Sequence, residues 1–210
     1  MRQARAGRVV MSVDSTDLLN RRHVATKDDG CLSQFPVLSA EHCNEMTFDD
    51  VVVYSADAAA VGSREQLLTD LSAGRRTIKA VLVTYGNGVP TSLLAVKNLF
   101  ADSASADGLL PEEVLVVDCP YLSAVPAQLT ELLTAVHSQN PDFSLLCADV
   151  CKESGNMPLH QYTLTLQREA LLPRSWSIIG AANTYNPLSR TLTFLNETSI
   201  REALLKLTRR

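Results

Sequence analysis

Residues 78–90 read IKAVLVTYGNGVP and contain the clearest structural signal in the chain. The run from Ile78 to Tyr85 is almost continuously apolar, which is typical of a β-strand buried on both faces. Gly86-Asn87-Gly88 interrupts the run, and Pro90 stands where the first turn of a helix tolerates proline. The segment therefore predicts a strand, a tight turn and a helix, in that order.

The same strand-and-helix unit recurs along the rest of the chain. The further strands are predicted at Asp50 to Tyr54, Glu113 to Asp118, Phe143 to Ala148 and Ser175 to Gly180. Helices are predicted from Ser63 to Leu71, from the turn to about Ala101, around Leu129 to Val136, from Pro158 to about Ala170, and from a Ser199 to Glu202 capping box onward. Strands that alternate with helices through short connections predict a doubly wound α/β fold with a mainly parallel sheet.

The first 46 residues differ from the rest because they show no hydrophobic period. Arginines in an acid-free opening favour a mitochondrial transit peptide, whereas Asp14 and Asp17 favour a solvated arm, which is the interpretation we prefer. We therefore predict an irregular N-terminal arm over residues 1–46 and a single α/β domain over residues 47–210.

Composition limits the classes of partner. The net charge is −4, so no overall positive field attracts nucleic acid or an anionic membrane. The apolar runs are too short to cross a bilayer, which predicts a soluble protein. The five cysteines are an odd number in apolar surroundings, and this predicts free thiols in an intracellular compartment, mitochondrial or cytoplasmic. Trp176 is interpreted as a core or interface residue.

The turn at Gly86-Asn87-Gly88 is a candidate anion site. Backbone N–H groups and a helix dipole at a strand end favour a phosphate or carboxylate, and the Thr91 hydroxyl is a further possible donor. The alternative is that the glycines only form a tight turn, and a Gly-x-Gly without a third glycine favours that alternative.

Two aspartates are candidates for the same edge of the sheet. Asp118 and Asp149 follow the predicted strands at their carboxyl ends, where open α/β sheets bind ligands. Paired carboxylates can perform acid–base work, but aspartates also cap helices and turns. Cys147, Cys151 and His160 are residue types that bind zinc, yet their spacing matches no common zinc signature. We assign no catalytic residue and no metal ligand.

The segments VLVTYGNGV at residues 81–89 and VLVVD at residues 114–118 resemble the C-terminal domain of transketolase and of the beta subunit of 2-oxo acid dehydrogenases. In those thiamine-diphosphate enzymes the first strand ends in a small-residue turn at a helix, and the second ends in an aspartate. The third commonly ends near an acidic residue, where this chain has Asp149. The resemblance is strongest over residues 78–210, and it departs after Asp149, where relatives have glycines.

The resemblance implies a function without chemistry of its own. The relatives bind thiamine diphosphate between two other domains through a Gly-Asp-Gly metal motif, which is missing here, so we expect no cofactor in this chain. We expect a non-catalytic, stand-alone oligomerisation or accessory module that forms a homodimer or binds a protein partner, in a narrower form a 2-oxo acid dehydrogenase. The alternative is a small-ligand or anion-binding regulatory domain that uses the carboxyl-end rim of the sheet. A role as one subunit of a larger enzyme also stays open.

Overall fold

The computed structural model of the chain describes residues 7, 9, 47, 49–55, 64–101, 108–154, 157–184 and 194–209. The strands in these ranges are β1 (Val52–Ser55), β2 (Ala80–Thr84), β3 (Val114–Asp118), β4 (Ser144–Lys152) and β5 (Ser175–Ala181). The α-helices are α1 (Arg64–Ser72), α2 (Gly88–Ala101), α3 (Ala127–Gln139), α4 (Pro158–Arg168) and α5 (Glu197–Thr208), and a short 3-10 helix at Pro111–Glu113 precedes β3. None of the helices in the described ranges is both long and apolar enough to cross a bilayer.

The strands form one mixed sheet in the order β1-β3-β2-β4-β5. Strands β2 to β5 are parallel to one another. Strand β1 runs antiparallel to β3, with Val52 opposite Asp118. The predicted α/β class and mainly parallel sheet are therefore confirmed. The antiparallel β1 was not predicted, because its pairing joins segments more than 60 residues apart and leaves no local pattern.

Helices cover both faces of the sheet, and the strand sequences show why. Val81 and Val83 of β2 pack with α1, α3 and α4, whereas Ala80 and Leu82 pack with α2 and α5. Successive side chains of a strand point to opposite faces, so a strand covered on both sides needs an apolar residue at every position. This explains the continuous apolar run from which the fold was predicted.

Capping residues were predicted at the starts of helices α1 and α5. Ser63, the predicted cap of α1, lies outside the described residues. The Ser199 capping box predicted for the last helix is wrong, because α5 begins at Glu197 and its cap is Asn196. The Asn196 side chain accepts a hydrogen bond from the Ser199 N–H at 3.0 Å, so Ser199 already lies inside the first turn.

Strand β4 is longer than predicted. It continues to Lys152, and its register with β5 shifts between Ala148 and Lys152. The prediction ended the strand at Ala148 because a charged residue follows. The extension places Asp149 inside the strand, which determines the environment of its carboxylate. The predicted N-terminal arm lies almost entirely outside the described residues.

Candidate ligand-binding rim

The predicted site residues lie at the carboxyl edge of the parallel strands, which we call the rim. Gly86, Asn87 and Gly88 form the turn between β2 and α2. Asp118 ends β3 on one side of β2, opposite Thr84, and Asp149 lies in β4 on the other side. The rim therefore joins three neighbouring strands, as expected for parallel strands that end at the same edge.

Asp149 is fully buried and its carboxylate is held by protein donors. Its Oδ1 accepts hydrogen bonds from the Tyr85 hydroxyl at 2.6 Å and from the Cys151 N–H at 2.8 Å. Its Oδ2 accepts one from the Leu159 N–H at 3.0 Å, in the first turn of α4. Asp149 thus caps α4 from a neighbouring strand, because the first N–H groups of a helix lack partners within that helix.

Tyr85 is a rim residue that the sequence analysis missed. Its hydroxyl lies between Asp149 and the Cys151 Sγ, which is 3.3 Å away. Burial and the hydrogen bond to Asp149 raise the pKa of Tyr85 well above its usual range, so the phenol stays protonated and donates its proton to the carboxylate. The only signal in the sequence was a tyrosine at the end of an apolar run.

Both glycines of the turn have a structural role. Gly86 has a φ of +54°, in the left-handed region that glycine adopts most easily. A Cβ at Gly88 would lie 2.0 Å from the Thr84 Oγ1 and 3.1 Å from the Val150 Cγ1, so only a glycine lets α2 approach the sheet this closely.

Three of the donors near the turn already have partners. The Gly88 N–H donates to the Tyr85 carbonyl at 2.9 Å, and the Val89 N–H to the Gly86 carbonyl at 3.2 Å. The Thr91 hydroxyl donates to the Asn87 carbonyl at 3.0 Å, one helical turn back. These contacts favour the tight-turn alternative, because an anion would have to compete with existing hydrogen bonds for these three donors. The Ser92 hydroxyl, buried in α2, has no hydrogen-bond partner among the described residues.

Asp118 differs from Asp149, because its carboxylate makes no hydrogen bond or ion pair with a described residue. Burial raises the pKa of its carboxyl from a usual value near 3.8 to about 6. Tyr54 is also affected by this carboxylate. Burial of Tyr54, together with the negative charge of Asp118, raises the pKa of the tyrosine hydroxyl to about 12. A partly buried carboxylate without a partner is costly, and such groups are found more often at functional sites than elsewhere.

Asp118 leads to a pH prediction. The pKa of Asp118 is higher in the folded state than in the unfolded state, so protonation of Asp118 stabilises the fold. This stabilisation is fully present below about pH 3.8 and is lost as the pH rises through about 6. We expect Asp118→Asn to stabilise the fold at pH 7.5 by about 1 kcal/mol, less than the full shift because a buried amide also loses water. Urea unfolding at pH 4.5 and 7.5 checks this, and equal effects at both pH values would contradict it.

The cysteines do not form a zinc site with His160 in the described part of the chain. Cys147 is buried in the core, and burial raises the pKa of its thiol to about 12, which disfavours the thiolate that a metal needs. Cys151 is exposed and contacts Tyr85. No group of three or more His, Cys, Asp or Glu residues in the described ranges is arranged to hold a metal ion.

Two cavities of about 420 and 350 Å³ lie at the opposite, amino edge of the sheet. Some of the charges around them are paired within the chain. Arg75 contacts Asp70 at 2.7 Å, and Lys79 contacts Glu113 at 2.8 Å. The arginine lowers the pKa of the Asp70 carboxyl, mainly through this hydrogen bond. Arg76, Glu112 and Asp142 also line these cavities and make no ion pair with a described residue.

Comparison of the chain with protein-family models gives no match, and comparison with curated proteins gives none either. What the chain does must therefore be inferred from its own residues and their geometry.

Strand β5 lies at one edge of the sheet, and among the described strands it pairs with β4 alone. Its sequence, SWSIIGA, contains no charged residue and no proline. Trp176 is 40 % exposed, and the central residues of the strand are only half-buried, unlike those of β2 and β3. A long, uncharged edge strand is a ready surface for pairing with another chain.

Proposed function

We propose that this chain is a non-catalytic, stand-alone relative of the C-terminal domain of transketolase-like enzymes and acts as an oligomerisation or accessory module. The observation that carries the proposal is that the outer edge of β5 pairs with no strand in the described part of the chain. Soluble proteins usually protect such edges with lysine, proline, a bulge or a very short strand. Strand β5 has seven residues, neither lysine nor proline among them, and an exposed tryptophan. A partner chain would bury this surface.

The rim supports a role without chemistry. Asp149 is engaged as a helix cap, and the Gly88 and Val89 N–H groups are bonded within the chain. A general acid or base needs a titratable group that can reach a substrate, and Asp149 has no such access. Asp149 therefore stabilises the fold instead of acting as a general acid or base.

The order of strand-end features supports the relationship. Strand β2 ends in a small-residue turn at a helix, β3 ends in Asp118, and β4 contains Asp149 near its end. These are the features on which the resemblance to transketolase and to the 2-oxo acid dehydrogenase beta subunit rests. In its narrower form the proposal makes the chain an accessory subunit of a 2-oxo acid dehydrogenase, with no cofactor bound by the chain itself.

We expect the purified protein to be a dimer with twice the 22.9 kDa mass of one chain. Trp176→Ala should shift the equilibrium towards monomer by roughly tenfold or more, because aromatic residues contribute most to protein interfaces. Light scattering after size exclusion, at several concentrations, measures both. The matched control is Leu164→Ala, which removes another exposed apolar side chain, 62 % accessible, from the surface of helix α4 and not from strand β5. A strictly monomeric wild-type protein that binds no purified dehydrogenase component would contradict the proposal.

A second candidate function is a regulatory domain that binds a small ligand at the rim. The unpartnered carboxyl of Asp118 favours it, because a ligand with a hydrogen-bond donor would compensate the buried group. Thermal unfolding with millimolar phosphorylated metabolites and nucleotides tests this candidate. Stabilisation that disappears in Asp118→Asn would support it, and no stabilisation by any compound would count against it.

A further inference from the structure

We infer that the partner at β5 is a second copy of this chain, paired antiparallel about a two-fold axis so that one sheet runs through both molecules. The inference rests on the proposed oligomerisation and adds which strand pairs and in which direction. An interface of this kind uses the same surface on both subunits, so every contact occurs twice.

The composition of β5 suits pairing with itself. Because the strand contains no charged side chain, two copies can lie side by side without bringing like charges together. Ile178 and Ile179 pack on opposite faces of the sheet, against the two separate core clusters. A paired copy would therefore extend both layers of the core and shield isoleucines that are half-buried in the single chain.

The charges at the two ends of β5 select the antiparallel direction. Arg174 is exposed just before the strand begins. At the other end the Glu153 Oε1 accepts a hydrogen bond from the Gly180 N–H at 3.4 Å. Antiparallel pairing brings Arg174 towards Glu153 of the partner subunit, whereas parallel pairing would place the two arginines together. Lys152 is also at this end, but its ammonium group donates to the Thr184 carbonyl.

The geometry also stops assembly at two copies. Once both β5 edges are paired, the edges that remain are the two β1 strands. Strand β1 has four residues, and short edge strands are one of the usual protections against further pairing. A closed dimer is therefore expected rather than a fibre.

Charge reversal tests the direction of pairing. We expect Arg174→Glu and Glu153→Arg each to weaken the dimer by about two- to fivefold, the range of exposed ion pairs, and the double variant to recover most of that loss. Sedimentation velocity at low salt gives the dissociation constants. If the two single effects simply add in the double variant, the antiparallel arrangement is overturned.

Ser177→Lys tests the strand itself, because it places a charge in the middle of the paired edges and should weaken the dimer at least about tenfold. Circular dichroism confirms that each variant is folded. Hydrogen exchange of the wild-type protein needs no variant, and amides of residues 174–182 should become more protected as concentration rises. A dimer unaffected by Ser177→Lys, without this protection, overturns the inference but leaves the proposed function standing. A monomeric wild-type protein that binds a dehydrogenase component does the same, whereas a monomeric protein that binds none overturns both.

Discussion

Asp149→Ala is expected to destabilise the fold by about 3–5 kcal/mol, because it removes the acceptor from several buried donors at once. The Tyr85 hydroxyl and the Leu159 N–H would lose their acceptor in buried surroundings, and the Cys151 N–H would lose its acceptor in a partly buried one. The Leu159 N–H lies in the first turn of α4, so the loss also removes a favourable charge from the positive end of that helix.

Urea unfolding followed by circular dichroism measures this loss. Tyr85→Phe removes the hydroxyl donor together with its hydrogen bond to Asp149, so no backbone donor is left without an acceptor. The free energy of unfolding should therefore fall by only about 1 kcal/mol. The matched control is Asp142→Ala, an exposed aspartate whose replacement should change the free energy of unfolding by less than about 0.5 kcal/mol. If Asp149→Ala unfolds like the control, the carboxylate is not a structural cap and a ligand-binding role for it becomes the better explanation.

Gly88→Ala is expected to destabilise the fold by about 2–3 kcal/mol through overpacking. The new Cβ would lie 2.0 Å from the Thr84 Oγ1, and this hydroxyl is itself fixed because it donates to the Ala148 carbonyl at 2.8 Å. Helix α2 must therefore move away from β2, or the Thr84 hydrogen bond must break. Either change loosens the helix start at the centre of the sheet.

A double variant identifies the cause of this loss. Thr84→Ala removes the obstructing oxygen, so Gly88→Ala should be less harmful in that background by about 1–2 kcal/mol, the coupling expected of residues in contact. Gly86→Ala is the comparison within the same turn. No atom lies within 4 Å of its Cβ position, so it should lose only about 1 kcal/mol, from its left-handed backbone. Equal stability of Gly88→Ala and the wild-type protein would show that the turn has spare room, and would favour the anion-binding alternative.

Protein contact and ligand binding make different demands on these residues. The proposed module needs Asp149 and Gly88 only for stability, so variants that still fold should keep the dimer. A rim ligand would depend on the same edge of the sheet and on Asp118. Measuring dimerisation and ligand stabilisation on one set of variants therefore separates the two proposals.

The sequence was sufficient for the elements whose signal is local. Strands β2 and β3 were predictable because every residue faces one of two apolar layers, and α2 to α4 were predictable from apolar residues at helical spacing. The end of β4 was harder to predict from the sequence, because a charged residue such as Asp149 usually marks the end of a buried strand unless it has buried partners. The Asn196 cap was overlooked because Ser199 offered an equally plausible capping pattern only three residues away.

By itself, the sequence determined the α/β class, the mainly parallel sheet and the gathering of the glycine turn, Asp118 and Asp149 at one edge. Those follow from periodicity and from the rule that parallel strands end together. Only the tertiary structure decided that β1 is antiparallel and that Asp149 caps a helix, whereas no described residue bonds to the Asp118 carboxylate and no described strand pairs with the outer side of β5. The physical reason is that strand order, burial and hydrogen-bond partners depend on which distant segments become neighbours, and no local pattern of residues records that choice.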